Sequence, residues 1–113
     1  MSEKRDLIRL KKRLSLKFGF DAPTKVAFTE DLSHDGIFVK TVYPSPPGSR
    51  VHIELTMPDG NIVKMMGMSR WRKSAPPQMI HLVKKNGMGI KILKFISGEE
   101  SYLLFIAKQN HKS

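Results

Sequence analysis

Arg9 and Arg13 stand four residues apart in a basic N-terminal stretch, and Asp31-Leu32-Ser33-His34-Asp35-Gly36 follows where a strand would turn back. An arginine fork can donate two hydrogen bonds to the O6 and N7 edge of guanine, and its plane and charge also suit phosphate. A turn carrying Asp, Ser and Gly adds complementary chemistry: a carboxylate to accept from guanine N–H groups, a hydroxyl, and backbone that a ligand can approach closely. Taken together, the two segments predict a clamp for a guanine nucleotide.

The order of these residues resembles the PilZ family of bacterial cyclic di-GMP receptors, whose signature is R-x-x-x-R followed by [D/N]-x-S-x-x-G. Arg9-Leu10-Lys11-Lys12-Arg13 supplies the first half and Asp31-Leu32-Ser33-His34-Asp35-Gly36 the second. The likeness runs on through Gly36-Ile37-Phe38-Val39, Arg70-Trp71 and Gly87-Met88-Gly89-Ile90, and so covers most of the 113 residues. The resemblance implies that Arg9, Arg13, Asp31, Ser33 and Gly36 contact cyclic di-GMP, gripped between an N-terminal arm and the turn. His34 and Asp35 fall at variable positions and inherit no role. Arg5-Asp6-Leu7-Ile8-Arg9 also fits R-x-x-x-R, but Arg13 directly precedes the first expected strand, where the family's second arginine falls. Binding is expected to order the arm and to signal through a partner protein that controls motility, exopolysaccharide production or virulence, a chain of this length leaving no room for an effector domain.

A chain of 113 residues is one domain's worth. Twenty Lys and Arg against ten Asp and Glu give a formal charge of +10, which suits a phosphate-bearing ligand, nucleic acid or an anionic membrane without choosing among them. There is no cysteine, so neither a disulfide framework nor a Cys-ligated metal site is available. His34, His52, His81 and His111 are scattered, and no zinc site or cofactor is expected. The first residues lead into no apolar signal region, and no run approaches the length of a membrane span. A cytoplasmic protein is the expectation.

The elements that must carry the motifs follow from periodicity. Residues 1 to 13 are expected to form a basic arm, mobile or in a short helix that would align Arg5, Arg9 and Arg13 on one stripe. Leu14, Leu16, Phe18 and Phe20 alternate with polar or small residues, the period of a half-buried strand. Val26 and Phe28 begin a second run ending at the Asp31 turn, and residues 37 to 42 make a third, stopped by the prolines after Tyr43. Val51, Ile53, Leu55 and Met57 give the cleanest alternation. Pro58-Asp59-Gly60-Asn61 then turns the chain so that residues 62 to 71 return as a hairpin partner. A last hairpin is expected between 78–83 and 88–96 around Lys84-Lys85-Asn86-Gly87. Ser97-Gly98-Glu99-Glu100 has a capping-box pattern and starts a helix over about 98 to 109, with Tyr102, Leu103, Phe105, Ile106 and Ala107 on its apolar face. The expected fold is all-β: a small antiparallel barrel of six or seven strands, PilZ-like and of split-barrel type, over residues 14 to 113, with a C-terminal α-helix.

Other chemistry is less well supplied. Arg70-Trp71-Arg72 with the basic arm could hold RNA or single-stranded DNA by charge and stacking, which makes a small nucleic-acid-binding barrel the rival reading, although nucleic acid is the less favoured partner. An interaction module of the same fold that binds no nucleotide is the third. Trp71 is better explained as a buried strand residue, Met65, Met66 and Met68 as core or partner surface, and Lys84 and Lys85 as a solvated tip. Ser33 beside His34 lacks the oriented third group of a catalytic triad, no phosphate-cradling Gly-rich loop is present, and no catalytic residue is assigned.

Overall fold

A computed structural model describes residues 9–73 and 86–110, without the side chains of residues 71–73 and of residue 110. Seven strands are followed by one helix: β1 (Leu10–Lys11), β2 (Ser15–Gly19), β3 (Lys25–Leu32), β4 (Gly36–Lys40), β5 (Arg50–Thr56), β6 (Ile62–Lys73), β7 (Gly87–Ser97) and α1 (Glu99–Asn110). The sheet order is β1-β3-β2-β5-β6-β7-β4, and β3 also pairs with β4. That last pairing closes β2 to β7 into a six-stranded antiparallel barrel, which removes the free edges of an open sheet. β1 is the extra strand, paired with β3 through Leu10↔Leu32 and Lys11↔Asp31.

Alternation places the core. Leu16 and Phe18 of β2, Val51, Ile53 and Leu55 of β5, and Val63 and Met65 of β6 point inward and are buried. Burying each such side chain contributes about 1.5–3 kcal/mol. The turn between β5 and β6 is built as its residues dictate. Gly60 takes the positive φ of 93°, and Asp59 Oδ1 accepts from the Asn61 N–H at 3.0 Å. Helix α1 lays Tyr102 and Ile106 into the same core, against which Leu10 of β1 and Phe95 of β7 also pack.

Several expectations change. Residues 10 and 11 are strand, not helix, so Arg9 and Arg13 are not aligned by a helical stripe. Residues 12 to 14 stay on the β3 edge: the Lys12 N–H donates to the Glu30 carbonyl, the Leu14 N–H to Thr29 Oγ1, and the Thr29 hydroxyl to the Lys12 carbonyl. Residues 1–8, including Arg5, lie outside the described residues. Phe20 does not continue β2 and is 73% exposed, because the chain turns at Gly19, where a Cβ would meet the Ala22 carbonyl oxygen at 1.8 Å.

The phase of β3 is also the reverse of the apolar pattern. Val26 is exposed, whereas Ala27 and Thr29 are buried, and the hydrogen bonds of the Thr29 hydroxyl offset its desolvation. The expected strand at 78–83 falls outside the described residues. Residues 88 to 91 of β7 pair with β4 on one side and with β6 on the other. On α1, Leu103 and Ala107 face outward, and Tyr102 and Ile106 are the buried residues among the described side chains.

Candidate functional site

Two β-bulges decide what faces the solvent near the Asp31 turn. In β3, Thr29 pairs with Val39 but Asp31 pairs with Phe38, so Glu30 is the extra residue. Without it, Asp31 would follow Ala27 and Thr29 into the barrel; with it, Leu32 enters the core and Asp31 turns out. In β6, Ser69 pairs with Ile90 and Trp71 with Gly89, which leaves Arg70 as the extra residue on the other side of the same depression. Between the bulges, Asp31, Phe38, Gly89 and Trp71 stand in one row across four strands.

The depression is a cavity of about 390 Å³ lined by Arg9, Asp31, Asp35, Gly36, Ile37, Phe38, Arg70, Gly89, Ile90 and Lys91. Its lining combines Phe38 and the backbone of Gly36 and Gly89 with three cations (Arg9, Arg70, Lys91) and two carboxylates (Asp31, Asp35). That combination suits a flat, anionic ligand with polar edges. Arg9 spans one corner: its Nε donates to Asp31 Oδ1 at 2.7 Å, and its Nη2 lies 2.6 Å from the same oxygen. The two oxygens of Asp31 and the remaining guanidinium N–H groups keep capacity for a ligand.

The turn is fixed from inside. The Ser33 N–H donates to the Gly36 carbonyl at 2.8 Å, and its hydroxyl donates to Asp35 Oδ1 at 3.1 Å. The Ile92 N–H of β7 donates to the Asp35 carbonyl at 2.9 Å. The Tyr102 hydroxyl of α1 donates to the Ser33 carbonyl at 2.6 Å. Burial pushes the Tyr102 phenol well above its ordinary pKa, against the opposing pull of the Arg9 charge, so the phenol stays a donor. A Cβ on Gly36 would stand 3.1 Å from the Ile90 carbonyl oxygen, so a glycine there lets β4 lie close along β7.

Arg9, Asp31 and Gly36 therefore meet at one cavity. Ser33 is adjacent but wholly buried, its hydroxyl facing the turn. Arg13 is separated from them. Its guanidinium carbon lies 3.9 Å from the centre of the Phe28 ring, and it lines a second, smaller hollow of about 270 Å³ with Lys11, Lys12, Thr29, Glu30 and Lys40. The motifs alone did not single out Arg70, Asp35 or Lys91. Arg70-Trp71 and Gly36-to-Val39 lay in the segments that carried the resemblance, which was the available signal. Lys91 gave none, because only the register that sets it opposite Gly36 brings it to the rim. Among the described residues, no group of three or more His, Cys, Asp or Glu could hold a metal ion.

The class that this architecture defines is a small closed antiparallel barrel with one C-terminal helix, the PilZ-like fold. Among solved structures, 96% of the chain matches that of the Bacillus subtilis inhibitor of motility, MotI/DgrA, with a TM-score of 0.72 and 16% sequence identity. The chain spans about half of that protein, 52% of its length. No family model and no curated protein matches the sequence. No described helix is long and apolar enough to cross a membrane.

Proposed function

We propose that the chain is a cyclic di-GMP receptor domain whose ligand sits in the cavity between β1 and the Asp31–Gly36 turn, and that it acts as an effector without catalysing a reaction. One observation carries this reading: Arg9 and Asp31, drawn from separate halves of the R-x-x-x-R and D-x-S-x-x-G motifs, are in direct contact at the mouth of a charged-rim cavity. Arg9 and Arg70 supply forks for a guanine edge or phosphate, Asp31 accepts from guanine N–H groups, and Lys91 adds charge for phosphate. Arg13 stands four residues from Arg9, at most about 13 Å along an extended strand. That separation exceeds a single guanine and suits a ligand bearing two bases and two phosphates. Ser33 acts by shaping the turn that carries Asp35 and Gly36.

In this reading the domain acts in the bacterial cytoplasm through a protein partner that controls motility, exopolysaccharide or virulence, as the resemblance to cyclic di-GMP receptors implies. Calorimetric titration tests the reading, with cyclic di-GMP as ligand and GTP and an RNA oligomer as controls. Saturable micromolar or tighter binding of cyclic di-GMP, with weak or absent heat from the controls, is expected. Equal binding of RNA would favour the nucleic-acid-binding barrel, for which the exposed Lys11, Lys12 and Arg13 are the supporting feature.

A further inference from the structure

We infer that Tyr102 is a positioning residue for the nucleotide site: the hydrogen bond from its hydroxyl to the Ser33 carbonyl ties the seating of helix α1 to the shape of the Asp31–Gly36 turn. The inference rests on the cyclic di-GMP reading above for its ligand. It also extends that reading from the cavity to an element on the far side of the turn.

The Ser33 carbonyl tethers this turn to the helix. Ser33 donates within the turn, Asp35 accepts from β7, and the 2.6 Å bond from Tyr102 crosses to α1. Both ends are out of solvent, with Tyr102 and Ser33 each at 0% exposure, so no water can replace the donor cheaply. The ring packs against Phe95, at 5.4 Å between centroids, within the core cluster that also holds Ile106 and that Leu10 packs against. Tyr102 thus lies behind both halves of the site at once: Leu10 neighbours Arg9, and Ser33 neighbours the residues that present Asp31 and Asp35.

Two consequences follow. A helix that is loosened or displaced releases the Ser33 carbonyl, lets the turn relax and lowers affinity at a cavity that α1 does not line. By reciprocity, a ligand that fixes the turn tightens the helix. Ligand occupancy is thereby reported on the outer face of α1, where Leu104 is 58% exposed.

The test compares the full chain with Tyr102→Phe, which keeps the ring and removes the hydroxyl, and Ile106→Val, which trims one methylene from the buried face of the same helix and leaves the Tyr102 hydroxyl bonded to the Ser33 carbonyl. Without ligand, amide exchange at Ser33 and Ile92 should quicken in Tyr102→Phe and not in Ile106→Val. Cyclic di-GMP affinity should fall about tenfold in Tyr102→Phe and stay at the wild-type value in Ile106→Val. In the wild-type protein, saturating cyclic di-GMP should slow exchange along α1. Unchanged Ser33 and Ile92 exchange in Tyr102→Phe overturns the tether whatever the ligand data, and faster exchange with wild-type affinity overturns the positioning role. A wild-type protein that gives no heat with cyclic di-GMP sinks the ligand reading instead, and the exchange measurement still decides the tether.

Discussion

Arg9 and Arg13 belong to one motif and face two different surroundings. Arg9 meets a carboxylate at the mouth of a cavity that it shares with Arg70, where both forks would face one ligand. Arg13 lies over the Phe28 ring on an open, basic surface with Lys11, Lys12 and Lys40 for neighbours. A cation over an aromatic face at an exposed position contributes about 0.5–1 kcal/mol, so Arg13 has an alternative occupation and a ligand must compete for it. Identical residue types four apart are therefore expected to play unequal parts: recognition at Arg9, reach and charge at Arg13.

The largest effect should come from removing both. Arg9→Ala combined with Arg13→Ala is expected to abolish cyclic di-GMP binding at micromolar concentrations in calorimetry, with an unchanged far-UV circular dichroism spectrum. Arg9→Ala alone should account for most of this, at about 1–3 kcal/mol for a lost bidentate contact. Equal losses from the two single substitutions would break the asymmetry.

Arg70→Ala comes next. The bulge at Arg70 sends this side chain to the same rim, so its loss should cost about 2 kcal/mol, roughly thirtyfold in affinity, within the range for hydrogen bonds to charged groups. Arg13→Ala should cost less than Arg70→Ala and should flatten the salt dependence of binding more than it changes affinity at low salt. A larger loss at Arg13 than at Arg70 would mean that the ligand lies over Phe28, not in the cavity.

How much of this was legible beforehand depends on how local each determinant is. Leu16 and Phe18, and Val51, Ile53 and Leu55, announce their strands because alternation is a property of adjacent residues. The Asp31–Gly36 turn is legible for the same reason. The β3 phase is not, since Thr29 is buried only because residues 12 to 14 run beside it and satisfy its hydroxyl. Arg70 and Lys91 were hidden because a bulge and a cross-strand register, both tertiary, bring them to the rim. Ser33 falls in the ligand-binding pattern, and only the fold shows that its side chain is buried with its hydroxyl against Asp35.

Smaller effects separate the two roles within the turn. Ser33→Ala should lower stability by about 1 kcal/mol in urea unfolding, the worth of an ordinary internal hydrogen bond, with a weaker effect on ligand affinity than Asp31→Ala has. At high pH the buried phenol contributes its own signature. Its folded pKa is raised above the ordinary 10.0, so the folded state holds the Tyr102 proton where the unfolded state has lost it. Stability is therefore unaffected by this group below pH 10 and falls as pH rises beyond that value. Tyr102→Phe should show a flatter alkaline decline than the wild-type protein in denaturation curves.

Asp31→Ala tests the central claim most directly, because the two leading readings give it opposite signs. A surface that binds polyanions gains affinity when a carboxylate is removed, the more so here since Arg9 is released from its ion pair. A guanine-reading site loses an acceptor for base N–H groups. Calorimetry of Asp31→Ala against cyclic di-GMP and against an RNA oligomer should show weakened cyclic di-GMP binding, with any weak RNA binding undiminished. Tighter binding of both ligands would contradict the guanine clamp and identify the basic face as a general polyanion surface.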